Sequence, residues 1–153
     1  MATLSIGEVS SGTLRNEDLA SSFAWEIKML ARKEDHPGNK QAMLDLMAEL
    51  DAIEDFDAEE ASELVNEAID MLNDYVPSHC YFGTLEGDGA CFGVWPDMES
   101  VEELTKVSDP SELDDLDAEE SEAVFVNDHG NVTLYARYAL NGPIAWRVVW
   151  AIV

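Results

Sequence analysis

Four carboxylates, Glu63, Glu67, Asp70 and Asp74, recur at i, i+4, i+7 and i+11. On a helix this spacing aligns them along one face over about 16 Å of axis, with neighbours about 5–6 Å apart at Cβ. A second concentration of acid is SDPSELDDLDAEESE, Ser108 to Glu122, in which eight of fifteen residues are Asp or Glu and none is Lys or Arg. Its candidates for contact are Asp109, Glu112, Asp114, Asp115, Asp117, Glu119 and Glu120. The chemistry open to both groups is charge-assisted hydrogen bonding to Arg and Lys. Like charges at helical spacing weaken a helix, and interleaved Lys would relieve the repulsion. No Lys or Arg occurs between Asp45 and Lys106, so the pattern favours an interaction surface over a merely solvated face.

Other chemistries fit less well. His79, Cys80, Cys91 and His129 offer metal-ligand atoms, but zinc sites pair their ligands at close spacing and only one adjacent pair is present. Cys80 or Cys91 with His129 could in principle form a nucleophilic pair; the simpler reading is two strand fillers and a turn histidine. EGDGACFG lacks the Lys-Ser/Thr of a phosphate loop. No acidic run has the glycine of a calcium loop at its sixth position. The expectation is a chain with no cofactor, no metal and no catalytic residue.

The net charge of -25 on 153 residues bears on partners. It repels nucleic acid and anionic membrane, so direct nucleic-acid binding is not expected. A basic protein is the expected partner. The charge is uneven. Residues 45–74 hold twelve acids and no base, and residues 97–122 hold twelve acids and Lys106. The first 44 residues carry -1 and the last 31 carry +1. Adaptation to high salt would spread acid over the whole surface, which argues against that explanation. Hydrophobic content of 46% is ordinary for a folded chain. No apolar stretch is long enough to span a bilayer, and the first residues lack the pattern of a secretory signal. The expected location is the cytoplasm, with reduced thiols.

The elements that must hold these groups follow from periodicity. Asn16 can cap a first helix, in which Leu19, Phe23, Ile27 and Leu30 form the apolar stripe. Asn39 can cap a second, with Met43, Leu46 or Met47, Leu50 and Ile53 facing inward. Asp57 and Glu60 have capping-box spacing before a third, whose buried face is Ala61, Leu64, Val65, Ala68, Leu72 and Tyr75. Pro77 ends it. CYFGTLEGDGACFGVWP reads as a β-hairpin about Gly87-Asp88-Gly89. Residues 98–107 suit a short helix, followed by an acidic loop. AVFVNDHGNVTLYARY gives a second hairpin, and Asn141-Gly142 turns into a β-type tail. The expected fold is α+β: about three N-terminal helices over residues 1–76, then a mostly antiparallel sheet of about five strands over 77–153, in one compact unit.

The segments CYFGTLEGDGACFGVWPD and VNDHGNVTLYAR resemble stretches of small, functionally unassigned proteins of phages and mobile elements, over the C-terminal half. That group offers no catalytic motif to carry over. In composition and spacing alone, the acidic helices resemble the DNA-mimic inhibitors of phages, the anti-restriction and anti-CRISPR proteins. The second resemblance implies a non-enzymatic protein that occupies the basic DNA- or RNA-binding channel of a host defence nuclease, in the host cytoplasm if phage-encoded. The alternatives are a small enzyme with a Cys/His site and an acidic adaptor protein without mimicry.

Overall fold

The computed structural model describes residues 2–139, 141 and 144–152, with Ile144 described through its backbone only. The chain divides into two compact units, Met1–Trp95 and Pro96–Val153. The first contains β1 (Gly7–Ser10), α1 (Asn16–Lys33), α2 (Pro37–Asp51), α3 (Glu59–Asn73), β2 (Cys80–Leu85) and most of β3 (Asp88–Pro96). The expected junction at 76/77 lies inside this unit, because the β2–β3 hairpin packs with the helices.

The helical stripes fall on the core as their spacing requires. Leu19, Phe23, Ile27 and Leu30 of α1, Met43, Leu46 and Leu50 of α2, and Val65, Ala68 and Leu72 of α3 are buried together with Phe82 and Val94. Met47, Ile53, Leu64 and Tyr75 are partly buried against the same core. Phe23 meets Phe82 and Phe92 edge-on, with ring centroids 5.3 and 5.5 Å away. The Asn73 side chain joins α3 to β2: its Nδ2 donates to the Phe82 carbonyl and its Oδ1 accepts from the Phe82 N–H, both at 2.8 Å.

The helix starts differ from those expected. Arg15, not Asn16, is the N-cap of α1. Asn16 Nδ2 instead donates to the Phe56 carbonyl and Ser62 Oγ, both at 3.0 Å, tying α1 to the start of α3. His36 caps α2 by accepting from the Asn39 N–H, and Pro37 occupies the first turn. The Asp57–Glu60 box does not form: α3 begins after Ala58 with no side-chain cap, and Asp55 accepts from the Asp57 N–H in a local turn. In each case a competing bond engages the side chain or backbone group that the cap would use.

The expected single five-stranded antiparallel sheet is corrected to two sheets. One has the order β1-β3-β2 and so recruits a strand that precedes the helices. The other belongs to the second unit and has the order β4-β5-β6-β7, from Thr105–Val107, Glu122–Val126, Val132–Ala139 and Ile144–Ile152. In it β4 pairs parallel with β5, and the remaining pairs are antiparallel. Helices are not confined to the N-terminal half: α4 (Met98–Glu102) and a 3-10 helix (Pro110–Asp115) belong to the second unit. The helix expected over 98–107 stops at Glu102, because pairing with β5 draws the β-branched Thr105 and Val107 into a strand. The acidic loop is partly folded too, since Leu113 of the 3-10 helix is buried with Val107 and Ala123. The turn expected at 141–142 lies in part outside the described residues.

Gly93 lets β1 and β3 approach. A Cβ there would lie 2.3 Å from the Gly7 carbonyl oxygen and 2.8 Å from Cζ2 of Trp95. Gly93→Ala is therefore expected to destabilise the protein by about 1–3 kcal/mol, the usual cost of overpacking, measured by urea unfolding. A second expectation concerns Glu34, a buried carboxylate that accepts from the His36 N–H at 3.1 Å. That bond, aided by the Asp35 N–H and Asn39, holds its pKa below the ordinary value despite burial. A lowered folded pKa contributes stability above the unfolded pKa, and this is lost as pH falls through the folded pKa. Glu34→Gln should thus cost stability at neutral pH, with a deficit that shrinks on acidification, followed by urea midpoints across pH.

Candidate interaction surface

The α3 stripe forms as its spacing requires. Ala61, Val65, Ala68 and Leu72 take the buried side of the helix, which turns Glu63, Glu67, Asp70 and Asp74 outward, and all four are exposed. Asp74 is the C-cap residue rather than a helical one. An acid at this end opposes the helix dipole, and α3 has no basic residue in its last turn. On α1 the acids do find a base: Arg15 pairs with Glu17 and Asp18. Glu63, Glu67, Asp70 and Asp74 form a row of carboxylates with no ion-pair partner among the described residues.

The acids at the α2–α3 link are among the twelve counted over 45–74, but the cleft they line was not expected from the sequence. A cleft of about 580 Å³ there is lined by Ile53, Ala61 and Leu64 together with Glu49, Glu54, Asp55 and Glu60. In the sequence this link is EDFD, residues 54–57, which reads only as a break between two helices until α2 and α3 are packed. Apolar surface beside carboxylates suits the aliphatic stem and charged head of Arg or Lys.

The second acidic block is divided in its roles. Asp109 caps the 3-10 helix by accepting from the Ser111 N–H at 2.9 Å, and this bond holds its carboxyl below the usual range. Glu112 accepts from the Ser108 N–H at 3.0 Å. Both acids are engaged in shaping the segment. Asp114, Asp115, Asp117 and Glu119 are exposed, and Glu120 is half-buried. Leu113 and Leu116 fix the segment against Val107, Ala123 and Trp146. Arg137 Nη2 donates to the Leu116 carbonyl at 3.3 Å, and its guanidinium lies 4.8 Å from the Trp146 ring centroid. This block belongs to the second unit and α3 to the first, so each is a surface in its own right.

The thiols and histidines form no comparable site. Cys80 lies in β2 and Cys91 in β3, as free thiols. Burial pushes the Cys80 pKa up to about 12. Burial, then the charges of Glu8 and Asp88, also raise that of Cys91, whose Sγ lies 3.9 Å from Glu8 Oε1. A nucleophilic cysteine needs the opposite environment. His129 is exposed on the 127–131 turn, where Asn127 Oδ1 accepts from the N–H groups of His129 and Asn131. Among the described residues no group of three His, Cys, Asp or Glu side chains could hold a metal ion. No helix among them is long and apolar enough to cross a membrane.

No protein-family model matches the chain, and neither the curated proteins nor the solved structures yield a match.

Both thiols should react slowly with iodoacetamide at neutral pH in the folded protein and rapidly in urea, followed by intact mass. Fast alkylation of Cys91 in the folded state would contradict the environment described for it.

Proposed function

We propose that the chain is a non-enzymatic inhibitor that mimics nucleic acid and occupies the basic DNA- or RNA-binding channel of a host defence nuclease, in the manner of anti-restriction and anti-CRISPR proteins. The observation that carries this reading is the α3 stripe: four exposed carboxylates at regular helical spacing, with no Lys or Arg between Asp45 and Lys106. Regular negative charge on a rigid support is what a phosphate-binding channel recognises. Arg and Lys of the target would bond to the carboxylates, and long-range attraction would speed encounter. The acids around the α2–α3 cleft extend the same surface. Asp114, Asp115, Asp117, Glu119 and Glu120 offer a second one; Asp109 and Glu112 are less available because each already accepts a backbone N–H.

The reading requires that negative charge on α3, rather than side-chain shape, makes the contact. Changing Glu63, Glu67, Asp70 and Asp74 together to Gln or Asn keeps size and polarity. A pull-down from host lysate should recover nucleic-acid-binding proteins that added DNA displaces. The fourfold variant should bind the recovered protein at least several-fold more weakly and with a flatter salt dependence. Its helix content by circular dichroism should be equal or higher, since repulsion is relieved. Equal affinity and equal salt slope would remove α3 from the interface, and capture insensitive to DNA would end the mimic reading.

A further inference from the structure

We propose that the cleft between α2 and α3 is an arginine pocket, in which the basic partner inferred above seats an arginine side chain in preference to lysine. The proposal rests on that reading in taking the partner to be basic. It adds selectivity, which a row of exposed carboxylates such as that on α3 does not supply. The cleft, at about 580 Å³, has the size of a small-ligand site. Ile53, Ala61 and Leu64 give it an apolar floor, and Glu49, Glu54 and Glu60 line it as acids. Ile53 and Leu64 are only partly buried against the core, so both keep apolar surface open to an occupant.

Acid alone attracts any cation; the floor is what selects. The lysine ammonium is compact and strongly hydrated, and it resists leaving water for an apolar surface. The guanidinium is flat and weakly hydrated, with its N–H donors in one plane. Its stem and face can rest on Ile53 and Leu64 while its edges reach carboxylates. Those carboxylates come from three places: Glu49 from α2, Glu54 from the link and Glu60 from α3. None has an ion-pair partner among the described residues. Asp55 also lines the cleft but already accepts from the Asp57 N–H. The end of α2 favours the same occupant. The last turn of a helix carries partial negative charge, and basic side chains commonly sit there. α2 has none in its last turn, and Glu49 and Ala52 of that end line the cleft. The start of α3 has the opposite sign, but Glu59 and Glu60 in its first turn offset it. An arginine from outside would thus meet a helix end, an apolar floor and three unpaired acids together.

Titration of the intact, isotope-labelled protein with blocked tri-arginine and tri-lysine peptides, followed by amide shifts in NMR spectra, tests this. The two peptides carry equal charge. Tri-arginine should bind about threefold or more tightly than tri-lysine, with its largest shifts at Ile53, Ala61 and Leu64. Ala52→Trp fills the cleft at an exposed position without changing its charge. It should bring tri-arginine down to the affinity of tri-lysine, with an unchanged circular dichroism spectrum. Should that variant lose its fold, Glu54→Gln with Glu60→Gln makes the same test from the acids: the shifts at Ile53, Ala61 and Leu64 should vanish while those along the α3 stripe persist. Equal binding of the two peptides, equal shifts at the cleft with calcium at the same concentration, shifts confined to the α3 stripe, or a folded Ala52→Trp protein that keeps the arginine preference would each overturn the pocket. All of these leave the mimic reading to its own pull-down and fourfold variant. Arginine-selective binding at the cleft by a chain that captures no DNA-displaceable protein would keep the pocket and end the mimic reading.

Discussion

The first unit depends on the burial of Phe23. Its ring is fully enclosed, and Phe82 of β2 and Phe92 of β3 meet it edge-on. One side chain of α1 therefore joins the helical layer to the hairpin. Aromatic burial of this kind is among the larger single contributions to a core. It has to offset an unusual opposing term, the mutual repulsion of the acids on the helices. Among the described residues Glu34 is the one buried acid. The remaining acids stay at the surface or partly so, where water and salt screen them.

That constraint shapes where function can reside. A helix whose inner face is Ala61, Val65, Ala68 and Leu72 must send its acids outward. The repulsion they suffer is then a standing cost of α3, relieved by any cation that approaches. Under the proposed function, the Arg and Lys of a basic partner would relieve that repulsion. The Asn73 amide adds rigidity at the end of the helix nearest Asp74, by fixing α3 to the backbone of Phe82. Rigid placement lowers the entropy lost on binding.

The second unit handles charge in another way. Its acidic segment is partly folded onto the sheet through Leu113 and Leu116, while Asp109 and Glu112 serve as local caps. The far side of the same sheet order ends in β7, which is almost free of charge. Acidic and uncharged surfaces are thus separated along one chain.

The sequence by itself determined the three long helices, the inward face of each, the outward row on α3 and the pair of strands β2 and β3, although their turn is Glu86-Gly87 and the expected turn residues Asp88 and Gly89 belong to β3. These follow from periodicity, which is local and survives any tertiary arrangement. It did not determine the caps, because Asn16 and Asp55 found bonds whose partners or geometry are set by packing and turn shape. Nor did it determine the sheets. Strand partners are chosen by contacts between distant residues, so β1 joins β3 across the whole helical layer and β4 lies parallel to β5. Residues 105–107 carry the mark of this: they look like the end of a helix until β5 offers a partner. The same reason hid the α2–α3 cleft, for a cleft exists only once neighbouring elements have taken their places.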